Sequence, residues 1–173
     1  MLLRFAIRDA AIALAATAVW LLAARHSGGA GALADLTGVV AGLLVGVTAA
    51  VSHEWGHLLA GAAAGGRMRI NADLRSQFLF SFDADASTLR QFVVMSLGGF
   101  VVTGLFVWLV YALLPDGLLA TRVARGAVLF LASLGFVIEL PLLLVALARG
   151  RVPGVAAVKV RRLPEDGPAR AAA

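Results

Sequence analysis

The chain contains no cysteine. Disulfides and thiolate zinc sites are therefore excluded, which leaves histidine and carboxylate as zinc ligands. Charge is also scarce: 14% of the 173 residues are Asp, Glu, Lys or Arg, against roughly 25% in ordinary soluble domains. Long uncharged apolar stretches account for this, along with 61% hydrophobic residues and a mean hydropathy of +0.92. Such a composition belongs to a polytopic membrane protein rather than to one compact soluble core. The net charge is +5, but the arginines are divided among loops and tail and form no single basic face. Topology explains them better than nucleic acid does.

Four apolar runs predict an all-α membrane protein with about four transmembrane helices and a short β-hairpin between the second and third. The first helix begins near Phe5, behind Arg4 and Arg8, and ends near Arg25. A signal-peptide core has a similar look, but no small-x-small cleavage site stands out just after Leu22, so we expect a retained helix. His26 to Leu36 reads as a Gly/Ser/Ala linker, with His26 a solvated loop residue. The second helix runs from about Thr37 to Ala64, with Gly42 and Gly46 serving close helix packing. In the 65–87 segment, Arg67–Ala72 and Gln77–Asp83 alternate polar and apolar, which predicts the hairpin with Phe78, Phe80 and Phe82 on one face. That hairpin can shield its aromatics in the membrane interface or offer an edge to an extended peptide.

Thr88-Leu89-Arg90-Gln91 reads as a capping box opening a third helix over about Gln91 to Leu114, which Pro115-Asp116-Gly117 ends. A fourth spans about Gly126 to Ala148, interrupted by Glu139 and Pro141. Arg149 to Ala173 reads as a disordered basic tail that touches anionic lipid. Three parts follow: 1–36, the first helix and linker; 37–148, a three-helix core with its hairpin; and 149–173, the tail. Arg4 and Arg8, then Arg67, Arg69, Arg75 and Arg90, then Arg149, Arg151, Lys159, Arg161 and Arg162 gather on one side. The positive-inside rule places both termini and the hairpin in the cytoplasm, in a multi-pass protein of a bacterial-type plasma membrane. The second and fourth helices then run in the same direction.

The second helix carries Val51-Ser52-His53-Glu54-Trp55-Gly56-His57-Leu58, a His-Glu-x-x-His pattern. Residues four apart share a helix face, so His53 and His57 can both offer a ring nitrogen to one metal ion. Glu54 beside them is placed to take a proton from a water at that ion, which is the zinc metallohydrolase pattern. From Val39 to Ala64 these three are the only ionisable residues. Intramembrane charge costs roughly 2.5–3.5 kcal/mol per residue on insertion scales and by default marks function.

Catalytic zinc commonly keeps three protein ligands. His57 lies ten residues before Arg67, and Glu139 ten before Arg149. Both are then about 15 Å from the cytoplasmic edge. Gly98-Gly99 on the antiparallel third helix falls at a similar depth. Glu139 is thus the candidate third ligand, with Asp83 or Asp85 the rival if the hairpin folds back. Backbone near Gly99, or the Thr103 hydroxyl, is a candidate substrate-binding group.

His53-Glu54-Trp55-Gly56-His57-Leu58-Leu59-Ala60-Gly61, followed by a hairpin, a glycine-containing helix and an acidic helix, resembles the site-2 protease family of intramembrane zinc metalloproteases. The resemblance covers about residues 37–148. It implies zinc held by His53 and His57, Glu54 as general base, and a transmembrane protein as substrate, cleaved near the cytoplasmic side of the bilayer. Two motifs differ. Where the family usually reads Gly-Pro-x-x-Asn, this chain has Gly99-Phe100-Val101-Val102-Thr103, and where it reads Leu-Asp-Gly, this chain has Ile138-Glu139-Leu140-Pro141. A catalytically inactive relative that binds membrane partners is the alternative; a metal transporter ranks last, because the helices lack a string of polar groups across the membrane.

Overall fold

The computed structural model describes residues 1–26, 31–76 and 78–153. Helix α1 spans Leu2–His26, α2 Ala32–Ala63, α3 Leu89–Ala112, α4 Leu119–Leu134 and α5 Leu140–Arg149, with strands β1 (Met68–Ile70) and β2 (Phe80–Phe82) between α2 and α3. One π-turn, Gly135–Glu139, joins α4 to α5 without a break. Among the described residues, four helical segments are therefore long and apolar enough to cross a membrane: α1, α2, α3 and the continuous stretch Leu119–Arg149.

Three boundaries differ from expectation. Helix α1 starts at Leu2, three residues early, and takes His26 into its last turn, where the ring contacts the Leu22 carbonyl at 2.8 Å. Basic groups at a C-terminus complement the helix dipole. Helix α2 begins at Ala32, inside the expected linker. Helix α4 begins at Leu119 rather than near Gly126, so Arg122 and Arg125 are helical and not loop residues. The cause lies in the end of α3. Arg125 Nε donates to the Val110 carbonyl (3.0 Å) and Nη2 to that of Leu114 (3.3 Å), while Nη2 also meets Asp116 at 2.7 Å. The arginine thus supplies donors that the final carbonyls of α3 lack. The expected tail falls mostly on 154–173, outside the described residues.

Helix α2 is the centre of the bundle. A side chain added at Gly38, Gly42 or Gly46 would meet Leu119, Val123 and Ala127 in turn. Both series ascend in steps of four, so α2 and α4 are parallel, as the charge pattern predicts, and meet along a small-residue stripe. Against α3 the order reverses: Gly56 abuts Gly98 and Val102, and Gly61 abuts Met95. The capping box at the start of α3 is present, with Gln91 N–H donating to Thr88 Oγ1 (3.3 Å) and Thr88 N–H to Gln91 Oε1 (2.8 Å).

The hairpin pairs antiparallel in the register Met68–Phe82, Arg69–Ser81 and Ile70–Phe80. Phe80 and Phe82 share a face as predicted, with Phe78 half-buried. That face packs inward. Phe80, Phe82 and Leu79 join Phe5, Leu58, Phe92, Met95, Leu143 and Ala146 in the largest buried apolar cluster. The aromatics are core rather than a lining of the membrane surface. The start of α1 is tied to the same region by polar groups. Trp55 Nε1–H donates to Asp9 Oδ2 (2.7 Å), Asp9 Oδ1 accepts from Arg8 Nε (2.7 Å), and Arg8 Nη1 donates to the Leu74 carbonyl (2.7 Å). The head of the chain is therefore a clasp between α2 and the hairpin loop.

Candidate metal centre

His53 and His57 are one turn apart on α2 and both buried, at 5% and 3% exposure. Their rings lie edge to face with centroids 4.4 Å apart. Each ring is oriented by α3. His57 Nδ1 is 2.8 Å from the Met95 carbonyl, and His53 Nδ1 is 3.1 Å from the Gly99 carbonyl and 2.8 Å from Thr103 Oγ1. A carbonyl only accepts, so both Nδ1 atoms carry the proton and donate it. In the neutral rings both Nε2 lone pairs then face inward. This is the arrangement in which a metal-ligating histidine gives its second N–H to a carbonyl and presents the other nitrogen to the metal.

The two Nε2 atoms are 2.9 Å apart. Glu139, at the end of the π-turn, brings Oε1 to 3.2 Å from His53 Nε2 and Oε2 to 3.2 Å from His57 Nε2. Two inward lone pairs and a carboxylate form an electron-rich pocket that a positive charge completes. His53, His57 and Glu139 each offer one ligand atom within 4.8 Å of the others. A tetrahedral ion with bonds of about 2.0–2.1 Å separates its ligand atoms by roughly 3.3 Å, close to the observed spacings. The donor set fits a divalent cation of the zinc type, two imidazoles and one carboxylate, with a coordination position left over.

The remaining candidates fall into place around this group. Glu54 is half-buried on α2 directly after His53, and its Oε2 is sealed from solvent. Gly99 faces the His57 imidazole so closely that a Cβ there would overlap the ring. Its lack of a side chain is what lets α3 approach. Thr103 and the Gly99 carbonyl, expected beside a substrate, are turned toward His53 Nδ1. Asp83 is in the turn before α3, where Oδ1 accepts from the amides of Asp85 and Ala86 (3.2 and 3.1 Å). Asp83 and Asp85 are thus outside the converging group, and Glu139 is the carboxylate inside it. Arg125 is bonded to Asp116 and the end of α3.

Sequence reasoning placed the three converging residues at one depth but missed their supports. Carbonyl partners such as Met95 O carry no side-chain signature. Thr103 did carry one, a buried hydroxyl on an apolar helix a turn beyond Gly99, and the α2–α3 antiparallel pairing puts it opposite His53. No protein-family model, curated protein or solved structure matches this chain.

Proposed function

We propose that the protein is a zinc-dependent intramembrane metallopeptidase that hydrolyses peptide bonds in or near the membrane-spanning segments of other proteins. The observation that carries this reading is the convergence of His53 Nε2, His57 Nε2 and the Glu139 carboxylate beside Glu54, all on helices apolar enough to span a membrane. The resemblance of the His53–Gly61 stretch to site-2 proteases supports the same reaction class.

His53, His57 and Glu139 would hold the metal, and bound zinc supplies Lewis acidity toward a peptide carbonyl and a water. The chain supplies the rest. Met95, Gly99 and Thr103 fix the imidazoles in the tautomer that leaves Nε2 available. Glu54 accepts the proton of the attacking water and returns it to the leaving amine, the part a carboxylate beside the reacting centre performs as general base and then acid. Gly99 keeps the α3 side of the site free of side-chain bulk, and Gly98 lets α3 close on Gly56 and Ala60 of α2. A helical substrate has its carbonyls bonded internally and must unwind locally before one reaches the site. The positive-inside pattern favours entry of water from the cytoplasmic side.

The test uses purified protein in proteoliposomes with a panel of transmembrane peptides. Wild type is expected to cleave at least one of them. Glu54→Gln is expected to lose about 100- to 10,000-fold in rate while keeping its zinc. Cleavage by Glu54→Gln at the wild-type rate would overturn the mechanism. A zinc-loaded wild type that cleaves none, yet binds membrane peptides equally with or without Glu54, would favour an inactive binding protein.

A further inference from the structure

Glu139 closes a π-turn, and from its end the carboxylate lies 3.2 Å from each imidazole. Within Gly135–Glu139 the backbone bonding lengthens, so that Leu140 N–H reaches the Gly135 carbonyl five residues back instead of four. An α-helix advances about 100° per residue. Absorbing one extra residue in a π-turn therefore rotates the helix that follows by about that angle relative to the helix before it. Here both flanking helices are pinned. On the α4 side, Val123 and Ala127 are held against Gly42 and Gly46 of α2. On the α5 side, Leu143 and Ala146 belong to the apolar cluster that contains Phe5 and Phe80. Glu139 falls at the joint between the two phases, while its neighbours Phe136, Val137 and Ile138 are 64%, 73% and 54% exposed.

The sequence contains a reason for the irregular turn to persist. Pro141 is in the first turn of α5. It has no N–H to donate, and in a regular α-helix its ring would collide with the carbonyl four residues back, that of Val137. A widened turn before the proline relieves that collision. Single-turn π-bulges inside α-helices are frequent at functional sites, and this one ends on a residue of the converging group.

We propose that Pro141 is a positioning residue: it maintains the π-turn at 135–139 and so directs the Glu139 carboxylate onto His53 and His57, without itself touching the site. The proposal rests on the reading of these three residues as metal ligands. Restoring an N–H at position 141 admits the regular α-helical register, in which Glu139 turns away from the imidazoles.

The experiment is a zinc titration of the full-length protein in detergent, in competition with a chromophoric chelator, alongside thermal unfolding of the metal-free form. Pro141→Ala is expected to weaken zinc binding by about tenfold or more, the lower range for losing a group that orients a ligand. The metal-free form is expected to unfold at the same temperature or higher, since alanine favours helix over proline. Pro141→Ser restores the same N–H and is expected to give the same pair of results. Zinc affinity equal to wild type in both variants would overturn the inference and leave the metal centre standing. A parallel fall in affinity and metal-free stability would also overturn it, by reducing Pro141 to a packing role. Absence of zinc binding by wild type would remove the metal centre and this inference together.

Discussion

At the residue scale, the informative contacts are those that fix a tautomer. His53 Nδ1 has two partners on α3, the Gly99 carbonyl and Thr103 Oγ1, whereas His57 Nδ1 has the Met95 carbonyl. Groups that orient a metal-ligating histidine typically contribute 10- to 100-fold in metal affinity. With Gly99 O still in reach, Thr103→Val is expected near the lower end, about tenfold weaker zinc binding, and Thr103→Ser is expected to restore it. Equal affinity in all three proteins would assign Thr103 to another role, substrate contact included. His53, Glu54 and His57 were legible from sequence because their spacing encodes their shared face. Thr103 was legible as an intramembrane polar residue but not as a partner of His53, because that pairing depends on the register between two helices.

At the scale of elements, glycine decides which helices touch. A Cβ at Gly42 would lie 2.5 Å from Val123 Cβ and 2.7 Å from the Ala120 carbonyl, while one at Gly104 would meet nothing within 4 Å. Gly42→Val is therefore expected to cost about 1–3 kcal/mol, the usual range for overpacking, and more if α4 separates from α2. Gly104→Ala is expected to be neutral or stabilising, since alanine is the better helix former by about 1 kcal/mol. Unfolding in mixed micelles compares the two directly; equal effects would contradict the α2–α4 contact. The parallel course of α2 and α4 and the capping box of α3 could be read from charge and capping patterns. The π-turn could not, since Pro141 announces a disturbance but not its geometry. Nor could the early start of α4, which depends on Arg125 satisfying carbonyls fifteen residues or fewer before it. Asp9 was hidden for a similar reason: its partner Trp55 is on another helix.

At the scale of the whole molecule, four helices among the described residues are long and apolar enough to cross a membrane, and the charge distribution predicts how they are oriented. The hairpin and both termini are expected on the cytoplasmic side, and the turn around Gly117 on the other. The chain has no cysteine, so single cysteines at Asp73 and Gly117 can be labelled without background. An impermeant thiol reagent outside intact cells is expected to modify the cysteine at 117 and not the one at 73; the reverse pattern would invert the orientation. The bundle has a purpose within this arrangement. Helix α2 contributes both imidazoles, α3 orients them, and the α4–α5 joint adds the carboxylate, so three of the four long apolar segments meet at one point.

That meeting point is tested most directly by the zinc content of the purified protein, wild type beside His53→Ala and His57→Ala. About one zinc per chain is expected in wild type, as for a site of three protein ligands, with both variants nearly metal-free. A wild type without zinc under saturating conditions, or alanine variants that retain a full equivalent, would contradict a metal held by His53, His57 and Glu139.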